Sequence, residues 1–193
     1  NLSPQVQLTT LNRLTRKPKL VVMDTMNFWM DIALDDLKAV LKHVDVLTIN
    51  DEEARQLSGE YSLVKAARVI RAMGPQTLII KKGEHGAVLF HEEGLFALPA
   101  YPVTELRDPT GAGDSYAGAL SGSLAAANRT DFAALKRAVA HATAVSSLTV
   151  EVTDVDDAKK ILRILDALED NDDIQDVYSN FDIDESELEA LSQ

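Results

Sequence analysis

The stretch Arg107-Asp-Pro-Thr-Gly-Ala-Gly-Asp-Ser115 holds the residue types best suited to chemistry in this chain. Gly111 and Gly113 let the backbone turn tightly and aim successive N–H groups in one direction. A helix predicted to start near Ala112 adds the positive end of its macrodipole at the same spot. Such a cradle suits a phosphoryl group in transit. Asp114 falls in the first helical turn beside it, where a carboxylate can take a proton from an attacking hydroxyl. The plain alternative is a tight turn followed by a helix-capping acid. No Gly-Lys-Ser/Thr follows the glycines, so this is not a Walker-type loop. Two further polar segments stand at the ends of apolar runs: Asn50-Asp-Glu-Glu53 and Lys81-Lys-Gly-Glu-His-Gly86. Taken alone, the first reads equally as ordinary helix capping and the second as an isolated turn.

The elements that must position these residues are legible from hydrophobic pattern. Leu20–Met23, Val46–Ile49 and Thr77–Ile80 are short apolar runs of the kind that become buried parallel strands. They end at Asp24, Asn50 and Lys81. Between them, helices are predicted over Asp35–Val44, Asp51–Leu57 and Ser62–Met73, the last opened by Ser62 as N-cap and closed before Gly74-Pro75. Ala87–Phe90 and Leu95–Leu98 flank Glu92-Glu93-Gly94 and predict a hairpin. Ala112–Ala127 and Phe132–Leu148 are alanine-rich helices. Strands alternating with helices predict βαβ units, and ligands in such sheets gather at the carboxyl ends of the strands. Asp24-Thr-Met-Asn27, Asn50–Glu53 and Lys81–Gly86 all start there. Phe28 and Trp29 follow the first strand; substrate contact is one reading, and core packing is the favoured role for both.

The complete string Asp108-Pro-Thr-Gly-Ala-Gly-Asp114, continued by Ser115-Tyr-Ala-Gly118, resembles the C-terminal signature of the ribokinase-like (PfkB) carbohydrate kinases. Asn50-Asp51-Glu52-Glu53 resembles that family's Asn-x-x-Glu motif, and Lys82-Gly83-Glu84-His85-Gly86 its strand-end loop, in the same order. The resemblance covers roughly residues 1–150, corresponding to the C-terminal half of a family member. It implies part of a three-layer α/β/α sandwich with a short α+β appendage behind it. It implies Asp114 as catalytic base, with Gly111, Ala112 and Gly113 as the anion hole. Asn50, Lys82, Gly83, Gly86, Thr110, Gly111, Gly113 and His141 would line the nucleotide site. Glu53 would serve magnesium through water, and Asp108 a monovalent-cation or substrate loop. The implied reaction is transfer of the ATP γ-phosphoryl group to a sugar hydroxyl. The family's other half grips the sugar and closes over it, so the expectation is weak or no transfer by this chain alone. A complementing N-terminal half and self-association are the expected partners besides nucleotide and sugar.

Charge divides the chain sharply. Residues 151–193 hold 15 acids and 3 bases, which accounts for the whole net charge of −12 and predicts a module boundary near residue 150. The segment from Thr149-Val-Glu-Val-Thr-Asp154, with Leu165–Asp170 and Asp176–Ile183, resembles the C-terminus of the YebC family, described as transcriptional regulators or translation factors. It reads as strand, helix, strand and acidic tail, with Thr149-Val150-Glu151 as the junction. A regulatory binding module and a non-catalytic chimera are therefore the competing expectations. The acidic segment itself is unsuited to nucleic-acid phosphates, which call for lysine and arginine. No cysteine is present, so disulfides and thiolate metal sites are excluded and a reducing, cytoplasmic setting fits. No apolar run approaches the roughly 20 residues that span a bilayer. His43, His85, His91 and His141 lack metal-ligand spacing.

Overall fold

The computed structural model describes residues 2–103, 106 and 109–151. Contacts divide the chain between Pro99 and Ala100 into two compact units. The first unit is built on one five-stranded sheet. Its strands are β1 (Val22–Asp24), β2 (Val46–Asn50), β3 (Thr77–Lys81), β4 (Ala87–His91) and β5 (Gly94–Leu98), and they lie in sequence order. β1, β2 and β3 are mutually parallel, with Val22 opposite Val46 and Val46 opposite Thr77. β4 and β5 add as antiparallel strands, Leu89 facing Ile79 on one side and Phe96 on the other. The sheet is thus mixed. The expected parallel βαβ pattern holds for the first three strands, and the predicted hairpin supplies the last two.

Burial explains this order. Four of the five residues of β2 and of β3 are buried, as expected of central strands covered on both faces. β5, at the edge, has no fully buried residue. The crossovers carry helices α2 (Asn27–Ile32), α3 (Leu34–Leu41), α4 (Asp51–Ser58) and α5 (Leu63–Arg71). Leu37, Val40 and Leu41 of α3 and Ile70 of α5 join Leu47, Ile49, Leu78 and Ile80 in one apolar cluster. Helix α1 (Pro4–Arg13) packs on α3 and was not anticipated. Its signal was present: the Ser3 hydroxyl accepts the Val6 N–H at 3.4 Å, and Pro4 occupies the first turn.

The second unit contains α6 (Ala112–Ala127) and α7 (Phe132–Glu151), packed on one another along much of their length. Asp131 caps α7 by accepting the Ala134 N–H at 3.2 Å. Its carboxyl is held below the usual range by the Arg129 side chain and then by that N–H. The helix runs on through Thr149, Val150 and Glu151, where a strand was expected to begin. The Thr149 hydroxyl donates to the Val145 carbonyl at 3.1 Å, so this β-branched residue has its side chain satisfied within the helix. The remaining elements expected in the YebC-like segment lie outside the described residues.

Ser62 stands before α5 as foreseen, but its side chain makes no capping bond there. The chain leaves α5 through Gly74, at φ +154°, against the backbone of α3. A Cβ at Gly74 would sit 2.1 Å from the Leu41 carbonyl oxygen. Gly59, at φ +71°, ends α4 in open space. Gly74→Ala should therefore cost clearly more than Gly59→Ala. The expectation is about 3 kcal/mol or more for the first, from overpacking against backbone, and about 1–2 kcal/mol for the second, from the left-handed conformation alone. Urea unfolding of the two variants checks the order.

Candidate functional site

Parallel pairing brings the carboxyl ends of β1, β2 and β3 to one edge of the sheet, and each of these strands ends in a polar residue: Asp24, Asn50 and Lys81. Asn50 opens α4 with a reciprocal cap. Its Oδ1 accepts the Glu53 N–H at 2.7 Å, while Glu53 Oε2 accepts the Asn50 N–H at 3.1 Å. The helix-capping alternative for this segment is thus realised in full. The cap does not exhaust Glu53. Glu53 as a whole is only 9% exposed. Burial raises its pKa; the Asn50 N–H and the positive charge of Lys81 oppose the shift, Asp24 adds to it, and the Asn27 backbone N–H lowers it slightly.

Lys81 reaches across β2 to Asp24, with Nζ at 3.0 Å from Oδ1 and 2.8 Å from Oδ2. Both side chains are about one-fifth exposed, at 17% and 22%. The sequence pattern placed both residues at strand ends but gave no means of pairing them. Only the register, with Asp24 beside Thr48 and Lys81 beside Asn50, brings them within reach. Lys82, Gly83 and Gly86 form a single tight turn after β3, closed by the Lys82 N–H donating to the Gly86 carbonyl at 2.7 Å. Gly83 and Gly86 adopt φ +52° and +82°.

Of the aromatic pair after β1, Phe28 departs from the expected core role, whereas Trp29 is half-buried. Phe28 is 48% exposed rather than in the core, and it meets Trp29 edge to face at 5.0 Å between ring centres. Successive helix residues point in different directions, and on the short α2 the inward position goes to Met30. The Trp29 indole N–H and the Thr25 hydroxyl are buried without a hydrogen-bond partner among the described residues.

In the second unit, Gly111 precedes α6 at φ +80°, the left-handed conformation that a glycine enters freely. The Ala112 N–H closes the turn onto the Pro109 carbonyl at 3.2 Å, and the Ser115 N–H donates to the Gly111 carbonyl at 2.8 Å. Thr110 and Asp114 are exposed, whereas Ser115 and Tyr116 are buried. Asp114 therefore stands on the open side of the first turn, with Gly113 next to it. Asp108 lies outside the described residues. On α7, both ring nitrogens of His141 are buried and lack a partner among the described residues. Burial pushes the Tyr116 phenol up to about 12. His43 and His85 are exposed, and no three His, Asp or Glu residues among those described are grouped to hold a metal directly.

The pfkB family carbohydrate kinase profile matches residues 3–161. The chain belongs to that family. It is 33% identical over 122 residues to cytidine kinase of Thermococcus kodakarensis, covering 61% of this chain and 43% of that enzyme. Aminoimidazole riboside kinase of Salmonella enterica, solved with aminoimidazole riboside and an ATP analogue, superposes at a TM-score of 0.63. Identity is 30%, with 69% of this chain and 46% of that one covered. A ribokinase II of Escherichia coli, solved with ATP and Mg2+, gives a TM-score of 0.59 at 26% identity, covering 75% and 49%. The chain therefore spans less than half the length of each of these kinases. A probable transcriptional regulatory protein of Sulfurihydrogenibium is also 56% identical over 54 residues, 28% of this chain and 22% of that protein. Partial matches to both families are thus real. No helix among the described residues is long and apolar enough to cross a membrane.

Two expectations follow from this geometry. Asn50→Ala removes the cap acceptor and should lower stability by about 1 kcal/mol, whereas Glu53→Gln keeps an acceptor and should cost less. Chemical denaturation of both variants gives the order. For Tyr116 the neutral phenol is the form the fold favours, so its contribution is complete below the unfolded value of about 10. Stability should then fall as pH rises from roughly 10 toward 12. Ultraviolet titration of wild type against Tyr116→Phe should show one late-ionising tyrosine missing from the variant.

Proposed function

We propose that the chain forms the nucleotide-binding and catalytic part of an ATP-dependent kinase acting on a hydroxyl of a sugar or nucleoside. The observation that carries this reading is the segment Thr110–Asp114. It sets a left-handed Gly111 and an exposed Asp114 at the start of a helix, within a chain of the pfkB family. The Gly111–Gly113 turn and the helix N-terminus would stabilise negative charge on the transferring phosphoryl group. Asp114 would accept the proton of the acceptor hydroxyl. That oxygen then bonds to the γ-phosphorus while the bond from phosphorus to the β-γ bridging oxygen breaks, leaving ADP.

The residues present also fit magnesium. Two carboxylates, Asp24 and Glu53, face one ammonium at the strand ends, and a cluster with net negative charge favours a divalent cation. Glu53 is the proposed magnesium residue, acting through water. When bound, the ion would supply charge neutralisation at the phosphates. Asn50, Lys82, Gly83, Gly86, Thr110 and His141 are the proposed nucleotide contacts, and Asp108 the proposed monovalent-cation residue. A cytoplasmic location fits such an enzyme. The short matches to transcriptional regulatory proteins favour a second reading, a regulatory binding module.

Calorimetry with Mg-ATP separates the readings. Saturable binding, a transfer rate reduced about 10²–10⁴-fold in Asp114→Asn, and loss of the magnesium dependence in Glu53→Gln are expected. If transfer needs a complementing N-terminal half, the same Asp114 dependence should appear once it is added. A folded chain that fails to bind Mg-ATP but binds RNA or DNA in a salt-sensitive way would overturn the kinase reading.

A further inference from the structure

The Lys82–Gly86 turn joins β3 to β4 and is closed by three bonds of its own. The Lys82 N–H donates to the Gly86 carbonyl at 2.7 Å, the His85 N–H to the Lys82 carbonyl and the Gly86 N–H to the Gly83 carbonyl, both at 3.0 Å. The first of these lies next to the sheet, so it opens if the end of β3 frays. Lys81 is that end. It faces Ala87 of β4 on one side and Asn50 of β2 on the other. Asn50 is also the last residue of β2, and the chain then turns into α4, so beyond Lys81 the ladder to β2 gives out. The Lys81 side chain supplies a restraint there. Its ammonium lies 3.0 Å from Oδ1 and 2.8 Å from Oδ2 of Asp24, which stands past β2 on β1. Two strand spacings separate β1 from β3 by about 10 Å. Asp24 is level with Thr48, whereas Lys81 is level with Asn50, two residues further along β2. The contact therefore uses most of the reach of both side chains and leaves little slack.

We infer that Asp24 is a positioning residue for the Lys82–Gly86 turn: through Lys81 it keeps the end of β3 seated and so keeps the turn closed. The role rests on the reading of that turn as a nucleotide contact. The chemistry of the pair suits a brace. Contacts from one ammonium to both oxygens of a carboxylate are charge-assisted and directional, and partial burial limits their screening by salt. β1 and β3 are not neighbours in the sheet, so the pair links two strand ends that no backbone bond joins. A neutral residue at either position leaves the other charge largely buried without its partner and frees the end of β3. Asp24→Asn isolates this bond, because an asparagine still offers an oxygen to the Thr25 N–H, which Asp24 Oδ1 accepts at 3.1 Å.

Amide hydrogen exchange in the full chain, without nucleotide, reads the closing bond directly at Lys82. Asp24→Asn and Lys81→Met should each raise exchange there by roughly tenfold, the loss expected for a hydrogen bond between charged groups. Leu47 and Ile79, in the sheet core, should keep wild-type protection. Lys81→Arg, which keeps the charge, should hold Lys82 near the wild-type rate. The double variant should exchange no faster at Lys82 than the more affected single one, since both substitutions remove the same bond. Unchanged exchange at Lys82 would overturn the inference, and so would an equal rise at Lys82, Leu47 and Ile79, which marks a global loss of stability. Calorimetry with Mg-ATP adds a second reading. Asp24→Asn and Lys81→Met change the local charge in opposite directions, yet both should weaken binding by roughly tenfold, because both release the turn. Opposite shifts in affinity, the mark of a purely electrostatic effect, or no shift at all would overturn the positioning role and leave the kinase reading intact. If the wild-type chain and its variants show the local exchange pattern but bind no Mg-ATP, the kinase reading falls while the brace on the turn stands.

Discussion

The parallel pairing of β1, β2 and β3 is the constraint on which the first unit depends. Parallel strands all finish at the same edge, and a crossover must return the chain to the opposite edge between one and the next. The last residue of each strand is thereby delivered to one place, whatever the separation in sequence. Asp24 and Lys81 are 57 positions apart and still meet at 2.8 Å. The apolar residues before them secure the register, because β2 and β3 are buried on both faces and a slip would carry polar strand ends into the core.

At that edge one carboxylate serves two ends. Glu53 satisfies the Asn50 N–H as part of a helix cap, which gives the side chain a structural reason to be buried. Burial then raises its pKa, a cost offset by the Asn50 N–H and by Lys81. Lys81 is itself matched to Asp24, so its charge is shared between the two acids. The helix cap and the ion pair thus meet at the same strand ends, so a change at any of the three side chains is felt by the others.

The second unit solves a different problem with simpler means. Two packed helices need only a turn that starts the first and a cap that starts the second. Gly111 provides the one by its left-handed backbone, and Asp131, steadied by Arg129, the other. An exposed acid in the first turn of α6 adds little to packing. Asp114 is placed where solvent or a ligand reaches it, while Ser115 and Tyr116 beside it are buried in the helix pair.

The sequence by itself determined the strands, most helices and the family. Apolar runs of four residues cannot be soluble loops, alanine-rich stretches favour helix, and the Asp108–Asp114 string is dense enough in glycine and acid to be recognised without coordinates. It also marked the edge where polar segments gather. It did not separate Phe28 from Trp29 and Met30, because the direction of each side chain depends on how a six-residue helix lies on its neighbours. Helix α1 is weakly marked because only a few of its residues are apolar, and α7 runs past the expected junction with the Thr149 hydroxyl satisfied on the Val145 carbonyl one turn back. Above all, only tertiary structure decided that Lys81 belongs to Asp24 and that Gln56 meets Asp31. Those pairings are set by strand register and crossover path, which are long-range consequences of burying the sheet, and no local spacing encodes them.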